Sequence, residues 1–252
     1  MIKMMMHGCN GKMGRMITEI VKGDGNAVIA AGVDTYTGVQ NDYPVFESID
    51  KCDVDVDVVI DFSTAGAVDG LLAYCVEKKL PVVLCTTGLS EEQQTKVAEA
   101  SKSIAVLKSA NMSLGINLLL KLLKDAAKVL APSGYDMELV ERHHNQKLDA
   151  PSGTALALAD SVNEALGNEY HYVYDRSQVR RKREEKEIGI SAVRGGTIVG
   201  EHEVMFAGTD EVIEFKHTAY SRGVFAKGAV EAGKFLAGKE AGMYDMGDVI
   251  GL

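Results

Sequence analysis

The sequence has no apolar run near the ~20 residues that a membrane span requires. Its longest candidates, Val54–Ile60 and Gly115–Leu123, are broken by Asp55, Asp57, Asn117 and Lys121. No signal-peptide core precedes the first strand-like run, because Met1-Ile2-Lys3 leads straight into it. Basic residues are outnumbered, 27 Lys and Arg against 36 Asp and Glu, for a net charge of −9. That balance argues against non-specific binding to nucleic acid or to an anionic membrane. Cysteine is scarce: Cys9, Cys52, Cys75 and Cys85 form no C-x-x-C pair and no Cys/His spacing suited to zinc. A disulfide between two of them stays open, but the economical reading is a cytoplasmic protein with reduced thiols. Proline is low at 4, and the 26 glycines follow no G-X-Y period, so they are local devices. What remains is ordinary globular usage, 46% hydrophobic and 25% charged over 252 residues. That length suits one large domain or two small ones.

The first part of the chain alternates strand-like and helix-like segments. Ile2–Met6, Val28–Val33, Val56–Ile60, Val82–Cys85 and Ile104–Leu107 read as strands. Between them, Lys12–Lys22 and Thr64–Lys79 carry helical apolar spacing, and Ser90 with Gln93 resembles a capping box. Strand, helix, strand, helix with short connections predicts a doubly wound parallel sheet covered on both faces. The rhythm then changes. Helical patterns at Ser113–Ala131 and Gly153–Leu166 flank a strand-like Met137–Val140, and a charged stretch follows at Arg176–Glu187. Ile188–Val193, Ile198–Phe206 and Glu211–Lys216 are consecutive strands, which predicts a second, α+β domain with a mostly antiparallel or mixed sheet. Ser221–Leu236 is helical again.

Two segments carry chemistry. Gly8-Cys9-Asn10-Gly11-Lys12-Met13-Gly14 joins the first strand to the first helix. Amides at a helix N-terminus attract anions, and glycines admit a pyrophosphate close to the main chain. The spacing is G-x-x-G-x-x-G, so only its Gly11-x-x-Gly14 half agrees with the G-x-G-x-x-G fingerprint. Asp34 ends the second strand twenty residues after Gly14, where an acid that binds ribose hydroxyls belongs. Its charge would repel a 2′-phosphate, and Thr35 beside it offers no cation, so NADH is expected to bind at least as well as NADPH. A plain tight turn with a loop-capping acid is the competing reading. Cys85-Thr86-Thr87-Gly88 and Ser109-Ala110-Asn111-Met112 follow the fourth and fifth strands, where a doubly wound sheet binds ligands. Phe62-Ser63-Thr64 reads as a helix cap.

The second segment is Glu141-Arg142-His143-His144-Asn145-Gln146-Lys147-Leu148-Asp149-Ala150-Pro151-Ser152-Gly153-Thr154-Ala155, read as a loop between strand and helix. Two histidines and a lysine precede a helix start with two hydroxyls and free amides. That suits a small carboxylate held beside a cationic acid. A solvated polar loop with a routine cap is the bland alternative, and a zinc site would need Asp149 and His202 as further ligands; no metal is expected. His7 reads as space-filling, and His171, His202 and His217 as surface or sheet positions. Arg180–Arg183 reads as a solvated loop.

The run Glu138–Ala155 resembles the signature E-x-x-E-x-H-H-x-x-K-x-D-A-P-S-G-T-A of the dihydrodipicolinate reductase family. Supporting matches are Gly8–Gly14, Thr86-Thr87-Gly88, Ser109–Ser113, Arg194-Gly195-Gly196 with Gly200-Glu201-His202, and Tyr244-Asp245-Met246. The resemblance spans essentially the whole chain. It implies NAD(P)H-dependent reduction of 4-hydroxy-tetrahydrodipicolinate to tetrahydrodipicolinate with loss of water, in diaminopimelate and lysine biosynthesis. It further implies a Rossmann domain at 1–112, an inserted substrate-binding and oligomerisation domain at 113–221, and a return of 222–252 to the first domain. Hinges would fall near Ser113 and Arg222, and the assembly would be a homotetramer. His143 and Lys147 match the proton-donor positions. His144, Ser152, Gly153 and Thr154 match the carboxylate-binding positions. Gly8, Cys9, Asn10, Gly11, Lys12, Met13, Asp34, Cys85, Thr86, Thr87, Ser109, Ala110, Asn111 and Met112 match the cofactor loops. Lys12 stands where Arg is common, Cys85 where Gly is common, and Thr35 where some members carry Arg, departures that bear on NADP preference. Two rivals are an aspartate-type dehydrogenase, separated by substrate turnover, and a dinucleotide-binding protein without chemistry, for which His143–Lys147 would be dispensable.

Overall fold

The computed structural model describes residues 1–177 and 180–251. The charged stretch Arg176–Glu187 includes residues 178 and 179, and the expected C-terminal segment ends at 252; these three positions lie outside the described residues. The chain divides into two compact units, Met1–Ser113 with Gly223–Gly251, and Leu114–Arg222.

The first unit begins with β1 (Ile2–His7), α1 (Lys12–Lys22), β2 (Ala27–Val33), β3 (Val45–Phe46), β4 (Val58–Asp61), α2 (Val68–Lys78), β5 (Val82–Leu84), α3 (Glu91–Ala100) and β6 (Ala105–Leu107). The second comprises α4 (Leu114–Leu130), β7 (Asp136–His143), α5 (Gly153–Ala165), β8 (His171–Val173), β9 (Glu187–Arg194), β10 (Gly200–Ala207) and β11 (Val212–Ala219). The chain then returns to the first unit as α6 (Gly223–Leu236), β12 (Gly242–Tyr244) and α7 (Met246–Val249).

The first unit's sheet has the order β12-β6-β5-β4-β1-β2-β3, with every neighbouring pair parallel. All four residues of β4 are buried, as are Met4–His7 of β1, because helices cover both faces. Met5 packs with Val59, Leu71, Val82 and Val106 on one side. Met4 and Ile60 meet α6 at Gly233, where an added Cβ would lie 3.1 Å from each side chain. The capping box at α3 forms as its sequence suggests: Ser90 Oγ accepts from the Gln93 N–H, and Gln93 Oε1 accepts from the Ser90 N–H. Thr64 departs from expectation. The turn after it is a 3-10 segment, Ala65–Ala67, with α2 starting at Val68, and the Thr64 side chain caps nothing.

The second sheet has the order β11-β10-β7-β9-β8. β10 is antiparallel to β7 and β11, while β9 is parallel to β7 and β8. The sheet is therefore mixed. Between β7 and β9 the chain passes through α5 and the three-residue β8, a crossover that lets β9 run in the direction of β7. β7 also runs further than Met137–Val140, so Glu141, Arg142 and His143 are strand residues and not loop. Alternation in β7 and β10 buries Met137, Leu139, Glu141 and His143 with Gly200, His202, Val204 and Phe206. The apolar members pack on α4 and α5 through Leu123, Leu158 and Val162. The opposite face carries Glu138, Val140, Arg142, Glu201, Glu203 and Met205, half-exposed. Among the described residues no helix is long and apolar enough to cross a membrane.

Candidate active site

In the first unit, the turn after β1 is shaped by close packing. Gly8 has φ +82°, and a Cβ there would lie 2.5 Å from the Phe62 carbonyl oxygen. A Cβ on Gly14 would lie 2.3 Å from the Gly8 carbonyl oxygen, so α1 can start hard against the turn only without a side chain. Asp34, just after β2, holds this turn. One carboxylate oxygen accepts from the Asn10 N–H at 2.9 Å and the other from the Tyr36 N–H at 3.0 Å. Asn10 is buried and ties the loops further, donating to the Tyr36 carbonyl and accepting from Asn41. Gly8, Gly11, Asp34 and Thr35 line a cavity of about 450 Å³ together with Glu47 and Asp50. Cys85, Thr86, Thr87, Ser109 and Ala110 line a second, of about 620 Å³, with Lys108. Glycine main chain open to the first cavity, followed by a helix start, fits a dinucleotide.

Not every candidate presents its side chain. Cys9 and Met112 are buried, so only their main chains are available to a ligand. Burial, with the Asp34 charge nearby, pushes the Cys9 thiol up to about 11. Asn111 Oδ1 accepts from the Ser113 N–H at 2.8 Å, and Lys12 and Met13 open α1 without lining either cavity. His7 is more than filler: its Nδ1 meets the buried Asp61 carboxylate at 2.7 Å, joining the ends of β1 and β4.

In the second unit, Glu141 is fully buried on β7 and takes four hydrogen bonds. Arg194 on β9 donates to both its oxygens at 2.7 Å, His143 Nδ1 lies 2.6 Å away, and the Ser152 N–H donates at 2.9 Å. Burial raises the Glu141 carboxyl, but Arg194, His143 and the Ser152 amide outweigh it and hold it below its ordinary value. A carboxylate only accepts, so His143 carries its proton on Nδ1 and turns Nε2 the other way. Burial drives the His143 imidazole below its ordinary pKa; Glu141 opposes this, and the Lys147 and Arg194 charges reinforce it. Lys147 Nζ pairs with Asp149 at 2.8 Å. That ammonium, with a smaller contribution from the Gly153 N–H, keeps the Asp149 carboxyl below its usual range. Ser152 caps α5, its Oγ accepting from the Ala155 N–H. His144 and Thr154 are half-buried, and Gly153 is exposed with open space where a Cβ would be.

Sequence reasoning gave Glu141 and Arg194 no role of their own and read His202 as a surface or sheet position. His202 is no ordinary sheet position. It is 4% exposed, its Nε2 lies 3.0 Å from Ser152 Oγ, and its ring meets His143 edge-on at 5.1 Å. Burial pushes its pKa down to about 3, with His143 beside it adding to the effect. One signal was available, since Glu141 and His143 sit two apart on a strand and must share a face. The ligand atoms of His171, Glu184 and Glu187 also gather within 4.8 Å of one another. Arg176 and Arg181 already answer Glu187 there.

A Rossmann-type parallel sheet, a glycine turn after its first strand and an acid after its second define an oxidoreductase that draws on a pyridine nucleotide. Residues 2–112 match the family description "Dihydrodipicolinate reductase, N-terminus", and residues 115–250 match "Dihydrodipicolinate reductase, C-terminus". The chain belongs to the dihydrodipicolinate reductase family. It is 52% identical over 246 residues to the 4-hydroxy-tetrahydrodipicolinate reductase of Clostridium tetani, covering 98% of this chain and 96% of that one. It is 51% identical over 250 residues to that of Clostridium novyi, covering 99% and 98%. Its fold is similar to dipicolinate-bound dihydrodipicolinate reductase from Paenisporosarcina sp. TG-14, with TM-score 0.81, 24% identity and 97% of each chain covered.

The histidine environment predicts acid sensitivity. An unfolded histidine takes up its proton near 6.5, whereas folded His202 does so only near 3. Between those values the unfolded chain binds more protons, so the stability present above 6.5 is lost as pH falls. His202 alone should remove about 2 kcal/mol by pH 5. Guanidinium unfolding at pH 7 and pH 5 checks this, and His202→Gln should flatten the difference.

Proposed function

We propose that residues 143–154 seat a small cyclic dicarboxylate and that the glycine turn with the loops at 85–87 and 109–112 holds the dinucleotide. The chain's reaction is the NAD(P)H-dependent reduction of 4-hydroxy-tetrahydrodipicolinate to tetrahydrodipicolinate with loss of water, a step of diaminopimelate and lysine biosynthesis. The observation that carries the seat is the carboxylate already in it. Asp149 sits against the Lys147 ammonium, beside the first turn of α5. A substrate carboxylate needs the same partners: a cation, helix-terminal amides and hydroxyls. His144, Ser152, Gly153 and Thr154 supply the rest of that seat. When bound, the reduced nicotinamide supplies a hydride to the ring carbon left electrophilic by dehydration.

Lys147 is the proton donor in this reading. His143 gives its Nδ1 proton to the Glu141 hydrogen bond, and burial keeps the ring neutral, so its Nε2 is an acceptor. Lys147 has an ammonium proton to deliver to the developing enamine. In the first unit, Asp34, Glu47 and Asp50 line one cavity whose lining holds no lysine or arginine, which disfavours a 2′-phosphate. The amides of Gly8, Cys9 and Gly11 are taken by main-chain carbonyls and that of Asn10 by Asp34, so these residues shape the turn, and Lys12 and Met13 in the first turn of α1 offer main-chain amides to the phosphates. The second sheet's half-exposed face, with Val140 and Met205 among paired charges such as Arg142–Glu203, supports a homotetramer assembled through that sheet. Its four free cysteines suit a cytoplasmic setting.

Lys147→Ala should lower kcat by about 10²- to 10⁴-fold and leave the Kd for NADH unchanged, measured by coupled turnover and fluorescence titration; near-normal turnover would refute the donor assignment. NADH should bind at least as tightly as NADPH in the same titration. Analytical ultracentrifugation should give a mass near four times 27.1 kDa.

A further inference from the structure

We infer that His202 is a positioning residue that commits the Ser152 hydroxyl to donating its hydrogen to a substrate carboxylate. The inference rests on the reading of residues 143–154 as the carboxylate seat and adds a residue outside that run.

His202 is 4% exposed, and its Nδ1 is buried without a hydrogen-bond partner. Its other nitrogen, Nε2, lies 3.0 Å from Ser152 Oγ. A neutral ring carries one hydrogen and must place it on one of the two nitrogens. On Nδ1 it would be a buried donor with nothing to receive it, an arrangement folded proteins avoid. On Nε2 it is satisfied by Ser152, and the bare Nδ1 is the lesser loss. Burial, which holds this imidazole far below its ordinary pKa, keeps the ring neutral throughout the physiological range.

The count then passes to the serine. Ser152 Oγ has two lone pairs and one hydrogen. The Ala155 N–H takes one lone pair at 3.1 Å, and His202 Nε2–H takes the other. The hydroxyl can accept nothing more and has only its hydrogen to offer. A water, which donates as well as accepts, loses half its options at such a group, whereas a carboxylate oxygen loses none. The neighbouring Ser152 N–H is spent on Glu141, so the hydroxyl is this residue's one remaining donor. His202 sits on β10, opposite Glu141 in the register, so the sheet that holds the acid also holds this ring.

Three measurements test this on the full-length enzyme. Long-range proton–nitrogen NMR of the ligand-free protein should show the His202 hydrogen on Nε2; a hydrogen on Nδ1 overturns the proposal. Ser152→Ala and His202→Leu should each raise KM for the diacid about tenfold, with kcat within about twofold, since a hydrogen bond to a charged group is lost in both. The double variant should be no worse than either single one, and His202→Gln, which restores an N–H donor, should recover most of the loss. KM effects that multiply in the double variant overturn the proposal. If NMR shows Nε2–H but Ser152→Ala binds dipicolinate as tightly as the parent, the carboxylate-seat reading falls and takes this inference with it. Unchanged NADH affinity in each variant separates these outcomes from misfolding.

Discussion

The second unit's chemistry hangs on a single buried carboxylate. Glu141 lies wholly out of water, and an ion there is tolerated only when its lone pairs are filled. Arg194 fills two from β9, His143 a third from β7, the strand that carries Glu141, and the Ser152 amide a fourth from the start of α5. One acid therefore sets the tautomer of a histidine, the position of a helix cap and the direction of an arginine. These groups stand on paired strands, where the register places Arg194 opposite His143. Sites on regular elements hold geometry more tightly than sites on loops.

The first unit repeats the device in milder form. Asp34 takes main-chain N–H bonds from the glycine turn and from its own following loop. Asp61, at the end of β4, takes the Ser63 N–H and pairs with His7. In the first unit a carboxylate at or just beyond the end of a strand takes backbone donors from the loops beside it, whereas Glu141 lies two residues inside β7 and takes one. Parallel strands favour this, because their carboxyl ends leave the sheet together and the loops that follow need an acceptor in common.

Short-range features of this arrangement were legible in the sequence. The glycine turn, Asp34, the Ser90 cap and the His143–Thr154 run each declare themselves within a few residues, and the alternation of strand and helix sufficed for the Rossmann-type sheet. What was not legible depends on partners far apart in the chain. Arg194 is 53 positions from Glu141, and His202 is 50 from Ser152. Neither pairing leaves a periodic trace. The strands β3, β8 and β12 are two or three residues long and cannot show alternation at all. Missing β8 hid the parallel run of β9, and so left open whether the second sheet was mostly antiparallel or mixed.

The return of the chain to its first unit sets an order on folding during synthesis. α6 packs against α1, β4, β5 and β6, and β12 adds a strand beside β6. The stretch up to Ser113 emerges from the ribosome with Met4 and Ile60 lacking the helix that covers them and with the flank of β6 unpaired. Both wait while more than a hundred residues of the inserted unit are translated. At typical elongation rates that interval is about 5–20 s, long enough for chaperone capture or for stray association along the open flank. The amino-terminal half of this enzyme is thus most vulnerable before its last helix has been made.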